Sequence, residues 1–128
     1  NEWREEAHKR MKKMVSSLVE GMGGECDFEI RRGYPVLINE ERLTKEVRYY
    51  AEDFLGKENV INIDPCMPAE DFAFYSQQIP ACFYRIGTGD EANGITSGLH
   101  TPTFNIDEKS LETGPGLMAY LAVKSLGN

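Results

Sequence analysis

Stretches spaced like helices alternate with stretches spaced like strands, and this alternation limits what the chain can fold into more than any other feature. Trp3, Ala7, Met11, Met14, Val15, Leu18, Val19 and Met22 recur at steps of one, three and four. That spacing puts them on one stripe of a helix over residues 1–22. Asn1 is a candidate N-cap, and Glu2, Glu5 and Glu6 stand where the helix dipole favours carboxylates. Glu5–Lys9 and Glu6–Arg10 are i,i+4 pairs in the better orientation. Gly23 and Gly24 end the helix. His8 lies among polar neighbours and reads as an ordinary surface histidine.

Cys26, Phe28 and Ile30 then alternate with Asp27, Glu29 and Arg31, the pattern of a strand with one buried face. Gly33-Tyr34-Pro35 breaks it, and Val36-Leu37-Ile38 leads into a second helix over residues 40–55, with Asn39 as its candidate cap. Leu43, Val47, Tyr50, Ala51, Phe54 and Leu55 supply its apolar side. Val60, Ile61 and Ile63 predict a short strand. Pro68 suits the first turn of a short helix over residues 69–75. The nearly continuous apolar run 81–86 predicts a strand buried on both faces. Residues 87–98 form a glycine-punctuated loop. Residues 104–106 follow, and then a closing helix capped by Asp107, in which Pro115 should cause a kink. The alternation favours an α/β architecture, or α+β for a part of one.

The 128 residues are enough for one domain, and a hydrophobic fraction of 41% permits a core. With 14 basic against 21 acidic residues, the net charge of −7 argues against a nucleic-acid partner. No run approaches the roughly 18 apolar residues that a membrane span needs, so no membrane partner is expected. No signal or transit pattern opens the chain, which predicts a cytoplasmic location. Cys26, Cys66 and Cys82 are an odd number at wide spacing, and we expect buried, reduced thiols rather than a disulfide framework.

Few residues carry reactive chemistry. There is no G-x-S-x-G elbow, no P-loop and no H-E-x-x-H. The candidates are the acidic pair Glu70-Asp71 and the loop histidine His100. Carboxylates at a helix start are also what the helix dipole favours, and a lone histidine is either a ligand or a structural residue. The residues alone leave both questions open.

Four blocks resemble the M20 peptidase family. Met67-Pro-Ala-Glu-Asp-Phe-Ala-Phe-Tyr75 is similar to its G-x-E-D-F-a-x-Y signature, with Pro68-Ala69 departing from the usual small pair. Ile79 to Gly87 resembles the strand that follows. Leu99-His100-Thr101-Pro102-Thr103-Phe104 matches L-H-x-P-x-F and leads into a d-x-d-E-x-x-L match over Asn105 to Leu111. Arg32-Gly33-Tyr34-Pro35 with Asn39 is similar to the family's crossover from lid to catalytic domain. Together the blocks follow the family's order from Arg32 to Leu111.

The branch with aminoacylase-like, hippurate and indole-acetyl-amino-acid hydrolases is the most similar. The resemblance implies a metal-dependent amidohydrolase that cleaves the amide of small N-acyl amino acids with a metal-activated water. It implies two divalent ions (Zn, Mn, Co or Ni) in the intact enzyme and a general base upstream, so no catalytic residue lies in this chain. His100 inherits the role of metal ligand, and Glu70 is the candidate for substrate contact or for orienting that ligand. Residues 1–33 would be the last helix and strand of an inserted lid or dimerisation domain. Residues 34–128 would be the returning half of a zinc-peptidase-like catalytic domain. A Zn²⁺ site wants at least three protein ligands, and His8 and His100 are the only histidines. The chain is therefore expected to be inactive alone, with the N-terminal part of the enzyme as partner and a homo-oligomer as the assembly. The rival class is a self-contained binding or oligomerisation module, for which the Met-rich stripe of the first helix would serve as a surface.

Overall fold

The structure is a computed structural model and describes residues 2–127. Four α-helices account for its regular structure: α1 (Glu2–Gly21), α2 (Glu41–Leu55), α3 (Ala73–Ser76) and α4 (Ser110–Leu126). Short 3-10 turns occupy Lys57–Asn59 and Glu91–Asn93. The chain groups into two compact units. One holds the residues up to Ile38 together with Met67–Gln78, and the other holds Asn39–Cys66 and the chain from Ile79 onward.

In the first unit, α1 forms where the stripe predicts it, and its end is built by glycine. The N–H of Gly24 donates to the carbonyl of Val19 and that of Gly23 to Glu20, the paired bonds of a Schellman motif. Gly23 takes the left-handed φ of 81° that this motif requires. Glu6 pairs with Arg10 at 2.8 Å as expected, but Glu5 reaches Arg32 at 2.5 Å instead of Lys9. The guanidinium of Arg4 donates to the carbonyl of Tyr34 at 3.1 Å, and the rings of Tyr34 and Phe74 meet edge to face. No residue of α1 is buried, and Trp3 is 82% exposed. The stripe is present but uncovered. Asn1, the candidate cap, lies outside the described residues.

The second unit contains the larger core. Ala51 of α2 packs with Leu117 and Leu121 of α4, and Val47, Tyr50, Leu55, Val60, Tyr84 and Ile86 close around them. α4 continues through Pro115. The flanking Gly116 has a packing reason, since a Cβ there would stand 3.2 Å from the Phe54 ring. The Phe54 and Tyr120 rings lie 5.2 Å apart, Tyr120 donates to the carboxylate of Asp53, and Lys124 sits over the Tyr120 ring at 5.1 Å.

The main departure from expectation is the absence of a sheet. Among the described residues no strand is formed over 25–32, 60–63 or 81–86, and the only β pairing is an isolated bridge between Asp90 and Ile95. A strand, unlike a helix, takes its hydrogen bonds from a neighbour. The 81–86 run has a substitute on one side. The side-chain amide of Asn39 donates to the carbonyl of Phe83 at 2.9 Å and accepts from its N–H at 2.7 Å, and the N–H of Glu40 donates to Ala81.

Asn39 therefore does not cap α2. Glu40 does, accepting from the N–H groups of Leu43 and Arg42. Those donors, the Leu43 bond foremost, hold the Glu40 carboxyl below its ordinary 4.5. A depressed pKa in the folded state means that the cap stabilises fully above about 4.5 and is lost as pH falls through the lowered value. An acid titration followed by circular dichroism should show wild type and Glu40→Gln converging only below that pH. A constant gap down to the most acidic point would refute the capping role.

The thiols also differ from expectation. Cys26 and Cys66 are exposed and only Cys82 is half-buried. Burial pushes the Cys82 thiol up.

Candidate functional site

The segment from Thr88 to Asp107 carries His100 and is held at three points. At its base the N–H of Asp107 donates to the carbonyl of Thr88 at 2.8 Å. Asp90 and Ile95 exchange both backbone bonds, at 2.9 and 2.8 Å, across the Glu91–Asn93 turn. Asp90 also receives the Asn93 side chain at 2.7 Å and its N–H at 3.3 Å. Those two bonds, the side-chain one first, hold the Asp90 carboxyl below its usual range. Asp90-x-x-Asn93-Gly94 is an Asx-type turn signal. The sequence marks a turn here through Asn93-Gly94, but not the Asp90–Asn93 side-chain bond that closes it.

The third point brackets His100 itself. Ser97 and Thr103 join through their hydroxyls at 2.8 Å, Thr101 donates from its hydroxyl to the carbonyl of Gly98 at 2.8 Å, and the N–H of Phe104 donates to Thr101. At the tip of this turn His100 is exposed, with a φ of 64°, the one positive φ of a non-glycine residue among those described. That conformation costs an L-residue on the order of 1 kcal/mol, histidine being among the types that tolerate it best. Such outliers persist where surrounding bonds impose them, and they cluster at functional sites. Phe104 does not anchor the loop in a core, since the residue is 43% exposed. Hydroxyl and backbone bonds hold the turn instead. A cavity of about 330 Å³ opens beside it, lined by Thr88, Gly89, Glu91, Ile95, Ser97 and Asn105 among others.

Glu70 belongs to the first unit and is half-buried. Its carboxylate accepts from the N–H of Phe72 at 3.2 Å, and its carbonyl accepts from Ala73. It thus organises the turn that leads into α3, which is four residues long and not the seven expected. Within this chain Glu70 has a local structural task, as the helix-start reading anticipates. Asp71 is exposed, and the carbonyl that Phe74 uses is its own.

Among the described residues no group of three or more His, Cys, Asp or Glu side chains converges into a cation site. His100 and Glu70 fall in different units. The described residues do not make a metal centre by themselves.

Comparison with known proteins gives the following. The family model described as peptidase family M20/M25/M40 matches residues 5–124. An uncharacterized hydrolase of Staphylococcus aureus strain N315 is 39% identical over 106 residues, which cover 80% of this chain and 27% of the relative. The ILR1-like 2 IAA-amino acid hydrolase of Arabidopsis thaliana is 34% identical over 96 residues, covering 75% of the chain and 22% of that enzyme. A second Arabidopsis hydrolase, ILR1-like 4, is 33% identical over 93 residues. The chain spans about a quarter of the length of the curated relatives it matches.

Proposed function

Because the chain belongs to the M20/M25/M40 peptidase family, we propose that it is part of a metal-dependent amidohydrolase that releases amino acids from N-acyl conjugates. The observation that carries this reading is the match over residues 5–124 together with two relatives named as IAA-amino acid hydrolases. The held turn at His100 supports it locally. In this reading His100 supplies one ligand to a divalent ion, and the remaining ligands and the general base come from outside the described residues. Two ions are expected in the complete enzyme; their identity among Zn, Mn, Co and Ni follows from the ligands that complete the site.

The assignment of residues 1–33 to a lid and 34–128 to the catalytic domain belongs to the same proposal. So does assembly as a homo-oligomer, which the α1 stripe favours: Trp3, Met14, Leu18 and Met22 all stand exposed. That stripe is also the one observation behind the rival reading, a non-catalytic oligomerisation module. No described helix is long and apolar enough to cross a membrane.

Hydrolysis by the complete enzyme tests the proposal. It should release free amino acid from N-acyl amino acids and stop on chelation. Glu70→Gln should lower kcat/KM by about 10–100-fold, as loss of a carboxylate beside a metal site does. If release is absent on every N-acyl amino acid tried, the substrate class is wrong. If Glu70→Gln changes only thermal stability, its role is confined to the α3 turn.

A further inference from the structure

His100 is held at a φ of 64°, a conformation that an unrestrained L-residue leaves for the right-handed or extended regions most of the time. A small set of bonds closes over the residue from both sides and opposes that escape. Ser97 and Thr103 join through their hydroxyls at 2.8 Å, so the residues between them form a closed loop with His100 at its centre. Inside the loop the Thr101 hydroxyl donates to the carbonyl of Gly98 at 2.8 Å, drawing together the residues that flank Leu99 and His100. Beyond it the N–H of Phe104 donates to the carbonyl of Thr101 at 3.1 Å. That bond closes a β-turn in which Pro102 takes the position suited to its fixed φ.

None of the three hydroxyl residues is a fixed letter of the L-H-x-P-x-F motif, and none is ordered by a core. Thr101 and Thr103 are exposed, and Ser97 is half-buried. Their bonds are made in exchange for bonds to water, so each contributes modestly, about as much as the left-handed conformation costs. Two opposed contributions of similar size leave the conformation of His100 sensitive to the loss of either bond. Population outside the conformation that presents a ligand lowers the apparent affinity in proportion.

We propose that Ser97 and Thr103 are positioning residues for the His100 imidazole. Their hydroxyl pair keeps the left-handed turn populated, and with it the ligand presented to a divalent ion. The inference rests on the reading of His100 as a ligand, and it adds which side chains set its conformation. Ser97 also lines the cavity of about 330 Å³ beside the turn, a second route by which its loss could act.

The test uses the complete hydrolase with Ser97→Ala, Thr103→Val and the two combined. Thr103→Ser keeps the hydroxyl, and every variant is made again in a His100→Asn background. Three quantities are read: ion loss to a competing chelator, thermal unfolding, and hydrogen exchange of the Phe104 amide in enzyme stripped of metal. Ser97→Ala and Thr103→Val should each weaken ion retention about five-fold, the weight of one hydrogen bond. The combined variant should lose no more, because each single change already breaks the same bond. Thr103→Ser should retain wild-type affinity. The Phe104 amide should exchange about five-fold faster in the hydroxyl-deleted variants with no ion present. In the His100→Asn background, with no imidazole left to position, the same variants should leave the remaining ion retention unchanged.

Faster Phe104 exchange with wild-type ion retention would confine the hydroxyl pair to local stability and overturn the proposal. Equal weakening in the His100→Asn background would place the effect at the cavity and overturn it as well. Early unfolding of Ser97→Ala would make the pair part of the scaffold, with the same consequence. Normal ion retention in His100→Asn alone would refute the ligand reading and the proposal together. Ion loss there, with hydroxyl variants that behave as wild type, would overturn the proposal and leave the ligand reading in place.

Discussion

Replacing His100 with alanine in the complete hydrolase is expected to lower its metal content and to reduce kcat/KM by about a thousand-fold. A bound ion contributes several kcal/mol to such a reaction, and each 1.4 kcal/mol is roughly ten-fold in rate. The turn at His100 allows imidazole and backbone to be separated. Asparagine is at ease with positive φ, so His100→Asn should keep the 64° conformation and the Ser97–Thr103 and Thr101–Gly98 bonds around it. If the imidazole is a ligand, His100→Asn and His100→Ala should lose activity together. Full metal occupancy with near-normal kcat/KM in the asparagine variant would show that the backbone conformation is what the position supplies.

The largest effect on stability should come from Leu117. It is 2% exposed and packs against Ala51 and Leu121. Truncation to alanine leaves a void between α2 and α4 and should cost about 2–5 kcal/mol. The neighbouring Met118 is 59% exposed on the same helix, and its truncation should fall within about 0.5 kcal/mol of neutral. Denaturant unfolding of the two variants in parallel measures the contrast. Equal losses would mean that α2 and α4 do not pack as the structure has them.

The helices were legible because the signals that make them are local. The α2 stripe at Val47, Ala51, Leu55 and the Leu117–Leu121 pair of α4 put the buried residues four apart, as an amphipathic helix must. Gly23 announced the end of α1 for the same reason. The strands were not legible in this sense. The pattern at 81–86 states a preference for extended backbone, but a ladder also depends on what lies alongside. Here one edge is met by the Asn39 side chain and the other by no backbone partner. Asn39 looked like a cap because asparagine favours that position. The cap fell to the next residue because the Asn39 amide is already engaged with Phe83.

At the site, the L-H-x-P-x-F motif singled out His100. The positive φ was not foreseeable, since it arises from the hydroxyl bonds of Ser97, Thr101 and Thr103 that close around it. Glu70 illustrates the opposite limit. Its type and position suit both a turn and a metal-site carboxylate, and the bond to the Phe72 N–H accounts for the first.

In the proposed reading His100 is one element of a catalytic centre whose other ligands and base come from outside the described residues. Turnover of an N-acyl amino acid by the chain alone, assayed with added divalent metal, tests it most directly. Release of amino acid is expected to be no faster than in buffer, because no metal-ligand cluster forms among the described residues. Chelator-sensitive release that follows the chain through a second purification would contradict it.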